Sequence, residues 1–187
     1  MATLRLASLS DFYTIVDWAN AHDADFLAQW AGRGFQYPLT LSQLMANYPK
    51  GINSLESGAY IYMIHKDNLD SECIGTVQFI RINAESKEGF IGRFLIKDER
   101  LRGQGIGKRV LRDMLRIGFE EFGLKTIKLT VYDFNHRAIR CYESVGFVPG
   151  EITKNYFTSS KGDIWSNIEM SIEKKDWERR RNVHEGT

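Results

Sequence analysis

Residues 100–111 read RLRGQGIGKRVL, with glycines at 103, 105 and 107 and the cations Lys108 and Arg109 directly after them. That composition suits a polyanion. The first turn of a helix exposes free N–H groups and the positive end of the macrodipole, so acidic residues are preferred there. Here Lys108, Arg109 and Arg112 fill the opening turns and Arg100 and Arg102 precede them. A bound anion offsets all of these like-charge placements together, and glycines let its oxygens reach the backbone amides. A P-loop is excluded, because Arg102 stands where its first glycine belongs and Arg109 fills its Ser/Thr slot. The dinucleotide fingerprint G-x-G-x-x-G starts with Gly103 and Gly105 but meets Lys108 in place of its third glycine. A bare glycine turn would leave the cations unexplained. A pyrophosphate fits.

A second constellation lies about thirty residues on, in VYDFNHRAIRCYESVGF (131–147). Asn135 and Tyr142 are seven residues apart, two helical turns, with Ala138 between them on the same face. Asn135 can cap the helix, Ala138 leaves room for a thin chain, and Tyr142 sets a phenol farther along that face.

Together these stretches resemble the GNAT superfamily of acyl-CoA-dependent N-acyltransferases. Arg102, Gly105 and Gly107 match its phosphate-binding pattern, and Asn135, Ala138, Tyr142 and Gly146–Phe147 match its second motif. The resemblance covers roughly residues 59–173 and implies acetyl-CoA as co-substrate. Its pyrophosphate would lie on Arg102, Gly103, Gln104, Gly105, Ile106, Gly107 and Lys108. Its pantetheine arm would lie along the backbone of Leu95, Ile96 and Lys97 and beside Asn135 and Ala138. Lys97 departs from the apolar residue often found there, and could set another cation near the cofactor.

The implied reaction moves an acetyl group to a primary amine of a small molecule or peptide. An alkyl ammonium titrates near about 10.4 in water, so a base or desolvation must free its lone pair. The resemblance makes Tyr142 the acid that protonates the leaving thiolate. The base stays open between Asp133, His136 and a water chain, since the strand before the loop, where some relatives carry a glutamate, reads GFIGRFLI here, with Arg93 in that region. Trp30, Phe35 and Tyr37 could line the acceptor pocket or simply pack the lid onto the sheet. The alternatives are an acyl-CoA-binding sensor or scaffold without turnover, and a nicotinamide oxidoreductase resting on the partial G-x-G match.

The elements that position these residues follow from periodicity. The first fifty residues read as a short strand (3–8) and three helices. Ser10 would cap the first helix, Gly32 would close the second, and a Thr40–Gln43 capping box would open the third. Runs 59–66, 73–83 and 89–97 read as an antiparallel meander. A four-turn helix ending at Gly123, a strand (125–132), a helix (135–145) stopped at Gly146 and two final strands complete the pattern. The expected fold is α/β, with a mixed, mostly antiparallel central sheet and helices on both faces. We expect one GNAT-like domain over 1–175, with 1–57 a helical acceptor-side lid, 58–173 the sheet and cofactor core, and 176–187 a charged, frayed tail.

The chain has 187 residues, 25 Lys plus Arg against 24 Asp plus Glu, and 43% hydrophobic residues. Near-neutral charge argues against a bulk nucleic-acid footprint. Two cysteines and four scattered histidines offer no metal-ligand spacing. No signal peptide or membrane-length apolar run is evident, so a soluble, cytoplasmic protein without a nucleic-acid or membrane partner is expected. Homodimers are common in such folds.

Overall fold

The computed structural model describes residues 2–68, 70–101 and 103–185. Its strands are β1 (Ala2–Leu6), β2 (Tyr60–Lys66), β3 (Cys73–Asn83), β4 (Glu88–Ile96), β5 (Thr126–Tyr132), β6 (Val148–Thr158) and β7 (Ile164–Glu173). They form a seven-stranded sheet in the order β1-β2-β3-β4-β5-β7-β6. The pairings β1–β2, β2–β3, β5–β7 and β6–β7 are antiparallel, and β4–β5 is parallel. This is the mixed, mostly antiparallel α/β architecture expected. The parallel ladder is three pairs long, ending at Phe90 with Lys128, although β4 continues to Ile96 and β5 to Tyr132.

The chain divides into two compact units, Met1–Ile80 with Gly92–Ile106 and Arg81–Ile91 with Gly107–Thr187. The first unit carries helices α1 (Asp11–Asn20), α2 (Ala24–Ala31) and α3 (Leu41–Ala46). Phe12, Ile15 and Ala19 of α1, Leu27 and Trp30 of α2 and Leu44 of α3 share a buried cluster with Ile61, Met63 and Leu95 of the strands. Each large apolar side chain so buried stabilises the fold by roughly 1.5–3 kcal/mol. Two asparagines fix the connecting loops. Asn20 donates to the Leu39 carbonyl and accepts from its N–H, both at 2.8 Å. Asn53 likewise joins the Ala7 carbonyl to the Ile61 N–H.

The capping expectations are half met. Ser10 precedes α1 but makes no side-chain cap bond. The Asp11 carboxylate instead accepts from the Ser8 N–H, the Ser8 hydroxyl and Arg5. Thr40 does cap α3, accepting from the Gln43 N–H at 3.2 Å. Gln43 does not return the bond. Its side chain accepts from the Gln36 N–H and donates to the Pro38 carbonyl, which braces the segment before the helix.

The second unit carries α4 (Ile106–Arg116), α5 (His136–Val145) and α6 (Lys174–Glu185). α4 buries Val110, Leu111, Met114 and Leu115, then passes into a π-turn at Ile117–Glu121 that keeps Phe119 inside. One wider turn rephases the apolar face. Helical geometry stops at Phe122, and Gly123 follows at φ +63°. Gly146 ends α5 at φ +113°, donating to the Tyr142 and Glu143 carbonyls. The frayed tail is corrected to helix α6. Trp177 there packs on Phe119 with ring centroids 5.2 Å apart, and Arg181 pairs with Glu120.

Candidate functional site

In the first unit, the loop after β4 begins with a short turn, Glu99–Leu101. Arg102 lies outside the described residues. Gly103 and Gly105 adopt φ +84° and +80°, the left-handed region that side chains disfavour. A Cβ built on Gly105 would meet nothing within 4 Å, so its backbone is open to an approaching ligand. Gln104 donates to the Arg100 carbonyl at 2.9 Å, bracing the loop from within. Ile106 opens α4.

Two flanking cations are already paired. The Lys97 ammonium lies 2.7 Å from Glu72, and the Arg100 guanidinium lies 2.8 Å from Asp98. Lys97 thus belongs to an ion pair rather than standing as an extra cation, and its backbone N–H donates to the Ile74 carbonyl at 2.9 Å. Leu95 is buried, with Ile96 and Lys97 partly exposed beyond it.

Trp30, Phe35 and Tyr37 have different surroundings. Trp30 is buried in the core cluster, and Phe35 packs against that cluster from its edge. Tyr37 is exposed. Among the described residues, Phe35 is the one of the three seen against a polar group. The Arg93 guanidinium of β4 lies 4.7 Å from its ring centroid and also donates to the Tyr48 hydroxyl and, at 2.7 Å, to Asn47 Oδ1. The Tyr48 hydroxyl in turn donates to Gln78 Oε1 at 2.6 Å. Burial pushes the Tyr48 phenol up, with the Arg93 charge and the hydrogen bond from Arg93 opposing it. The sequence reading missed this network. Its one local signal is Gln78, a polar residue in the middle of the buried run IGTVQF.

In the second unit, Gly107 and Lys108 lie in the first turn of α4, and Lys108 makes no ion pair among the described residues. Asn135 caps α5 as expected, its Oδ1 accepting from the Ala138 N–H at 3.2 Å. That bond leaves the Nδ2 hydrogens for another partner. Tyr142 is half-buried on the last turn of α5, its ring edge-on to Phe147 with centroids 6.1 Å apart. Burial pushes its phenol well above the ordinary range, and the neighbouring Cys141 adds to the shift. Burial also raises the Cys141 thiol, against the pull of Lys108 and Arg137. The charge at the start of α4 is therefore felt beside Tyr142. Asp133 bridges to β7, donating from its N–H to the Ser166 carbonyl and accepting the Ser166 N–H at Oδ1. His136 is exposed at the start of α5.

These features define a class. The acetyltransferase (GNAT) family model matches residues 15–147, and the chain belongs to that family. Among its relatives are the SPbeta prophage-derived uncharacterized N-acetyltransferase YokL of Bacillus subtilis, 30% identical over 110 residues, and the spermine/spermidine N(1)-acetyltransferase of the same organism, 35% identical over 71 residues. The aligned stretches are 58% and 37% of this chain, which spans 60% and 46% of the two relatives' lengths. A solved structure of spermidine N-acetyltransferase from Vibrio cholerae, in complex with CoA and spermine, shares the fold. Its TM-score is 0.77 at 21% identity, over 94% of this chain and 97% of that one. Among the described residues, no helix is long and apolar enough to cross a membrane.

Proposed function

We propose that the chain is an acetyl-CoA-dependent N-acetyltransferase acting on a primary amine. The observation that carries this reading is the loop itself. Gly103 and Gly105 stand at positive φ, open space lies where a Gly105 side chain would be, and Lys108, with no ion pair among the described residues, follows. Those residues suit a pyrophosphate, as Gln104, Ile106 and Gly107 do through their backbone N–H groups. Arg102 belongs to the same proposal by its place in the motif. Leu95, Ile96 and Lys97 would hold the pantetheine arm through backbone groups, with Asn135 and Ala138 beside it.

Bound acetyl-CoA supplies a thioester open to nucleophiles. The amine's lone pair forms the new C–N bond, the C–S bond breaks, and the nitrogen gives up a proton to solvent or a base. Tyr142 returns a proton to the departing sulfur. The phenol stays protonated across the neutral range and so carries a proton to give. Asp133 accepts the Ser166 N–H at Oδ1, and the base is Asp133, His136 or a water chain.

A cytoplasmic setting belongs to the same reading, as does self-association through β6, an edge strand exposed from Val148 through Asn155. Antiparallel pairing of two β6 strands about Ile152–Thr153 would set Glu151 against Lys154 twice. A melting scan tests the cofactor assignment. Acetyl-CoA and coenzyme A at about hundredfold excess over Kd should each add roughly 2.7 kcal/mol, a shift of several degrees. NADH should add nothing. Stabilisation by NADH alone would contradict the reading and favour the oxidoreductase.

A further inference from the structure

Among the described residues, the cations of the first unit are neutralised where they are partly buried: Arg5 lies 2.9 Å from Asp11, and Lys97 lies 2.7 Å from Glu72. Arg93 is the exception. It is partly buried at the centre of β4, yet its partners among the described residues are a hydroxyl, an amide oxygen and the faces of Phe35 and Tyr48. None carries negative charge. Two of its five N–H groups serve Tyr48 and Asn47, which leaves three for another acceptor.

Two further observations point the same way. Arg93 sits at φ +48°, a strained conformation for a residue with a side chain, and such strain concentrates where a side chain must be aimed. Gln78 is fully buried, and its Nε2 has no hydrogen-bond partner. The amide orientation is fixed by its neighbour. Tyr48 accepts from Arg93, so its own proton goes to Gln78 Oε1, and Nε2 is left as a donor beside the same hydroxyl. A buried donor without an acceptor is costly, and an anionic oxygen would satisfy it.

The location bears on substrate. Arg93 is two residues from Leu95, about 7 Å along the strand. Leu95 shares the buried cluster that contains Trp30 and Tyr48, and Phe35 packs on its edge. An acceptor whose amine lies by the Leu95 backbone, where the acyl end of the cofactor is proposed, would have its other end within reach of the Arg93 fork.

We propose that Arg93, with Tyr48 and Gln78, forms a subsite for an anionic group on the acceptor, so that the substrate is an amine that also bears a carboxylate or phosphate. The inference rests on the acetyltransferase reading and narrows it. A guanidinium matches either anion with paired N–H bonds, whereas a polyamine would bring like charge against it.

The test uses the full chain and matched acceptors: glucosamine 6-phosphate against glucosamine, an α-amino acid against its amide, and spermidine. Transfer (kcat/KM) and ligand-induced melting shifts are both read, on the native protein and on Arg93→Gln and Arg93→Lys. At least one anionic acceptor should outperform its neutral partner by about tenfold or more. Whether phosphate or carboxylate wins identifies the source of the anion. Arg93→Gln should bring that ratio close to one, and Arg93→Lys should retain part of it. A purely structural Arg93 would weaken both members of a pair equally and leave the ratio intact, which overturns the proposal. Preference for spermidine or for the neutral members overturns it too, while the transferase reading survives. Absence of transfer to every acceptor contradicts the transferase reading instead. The melting arm then decides the subsite: Arg93-dependent stabilisation by an anionic ligand supports it, and no stabilisation overturns it.

Discussion

Gly75 of β3 and the carbonyl oxygen of Leu95 on β4 approach so closely that a Cβ on Gly75 would stand 2.1 Å from that oxygen. The next bond along holds the same end of β4, where the Lys97 N–H donates to Ile74. Backbone cannot yield as a flexible side-chain tip can. Gly75→Ala should therefore move the segment proposed to bind the pantetheine arm, at a cost of roughly 1–3 kcal/mol. Melting should fall by several degrees and the KM for acetyl-CoA should rise. An unchanged melting temperature would show that β4 adjusts freely there.

Tyr142→Phe removes the proposed acid while keeping the ring against Phe147. Turnover should drop well over tenfold with acetyl-CoA affinity nearly kept. Because the Tyr142 pKa is raised, the native enzyme should show no alkaline loss of kcat from this group between about pH 7 and 10. Steady-state kinetics over that range checks both statements, and an unchanged kcat in the variant would remove Tyr142 from the mechanism.

Gly105→Val places a β-branched side chain at φ +80° with nothing around it to clash. The positive φ strains any side chain there whatever the space, at a cost of about 1–2 kcal/mol or more for a β-branched residue. Coenzyme A affinity should also fall more than tenfold by calorimetry, since the side chain would occupy the space reserved for phosphate oxygens. Retained affinity would contradict the pyrophosphate assignment.

Asp11 supplies a pH signature. Burial pushes its carboxyl up, but hydrogen bonds from Arg5 and Ser8 and the Arg5 charge outweigh it and hold the pKa at about 2, below the ordinary 3.8. A group depressed in the folded state stabilises above its unfolded pKa and loses that contribution as pH falls through the folded one. The contribution is about 2 kcal/mol, complete above roughly pH 4 to 5 and lost toward pH 2. Asp11→Asn should lower melting at neutral pH and flatten the acid decline. Parallel acid curves for the two proteins would refute the assignment.

Much of this was legible locally. The Asn135 cap and the Gly146 stop follow from residue type and neighbours, and the structure has each. The misses were non-local. Gln43 carries half of a capping-box pattern, yet Gln36 and Pro38 take its side chain. A segment as charged as DWERRR gives little sign of helix until Trp177 finds Phe119. Tyr48, Gln78 and Arg93 are separated by 30 and 15 residues, so only the folded sheet makes them one network.

The most direct measurement of the central claim is amine-dependent release of coenzyme A thiol from acetyl-CoA, with Tyr142→Phe run in parallel. Release should saturate in both acetyl-CoA and an amine, be matched by acetylated amine, and fall more than tenfold in the variant. Tight acetyl-CoA binding with no amine-dependent release across cationic, neutral and anionic acceptors would contradict it, and would make the chain a binding module instead.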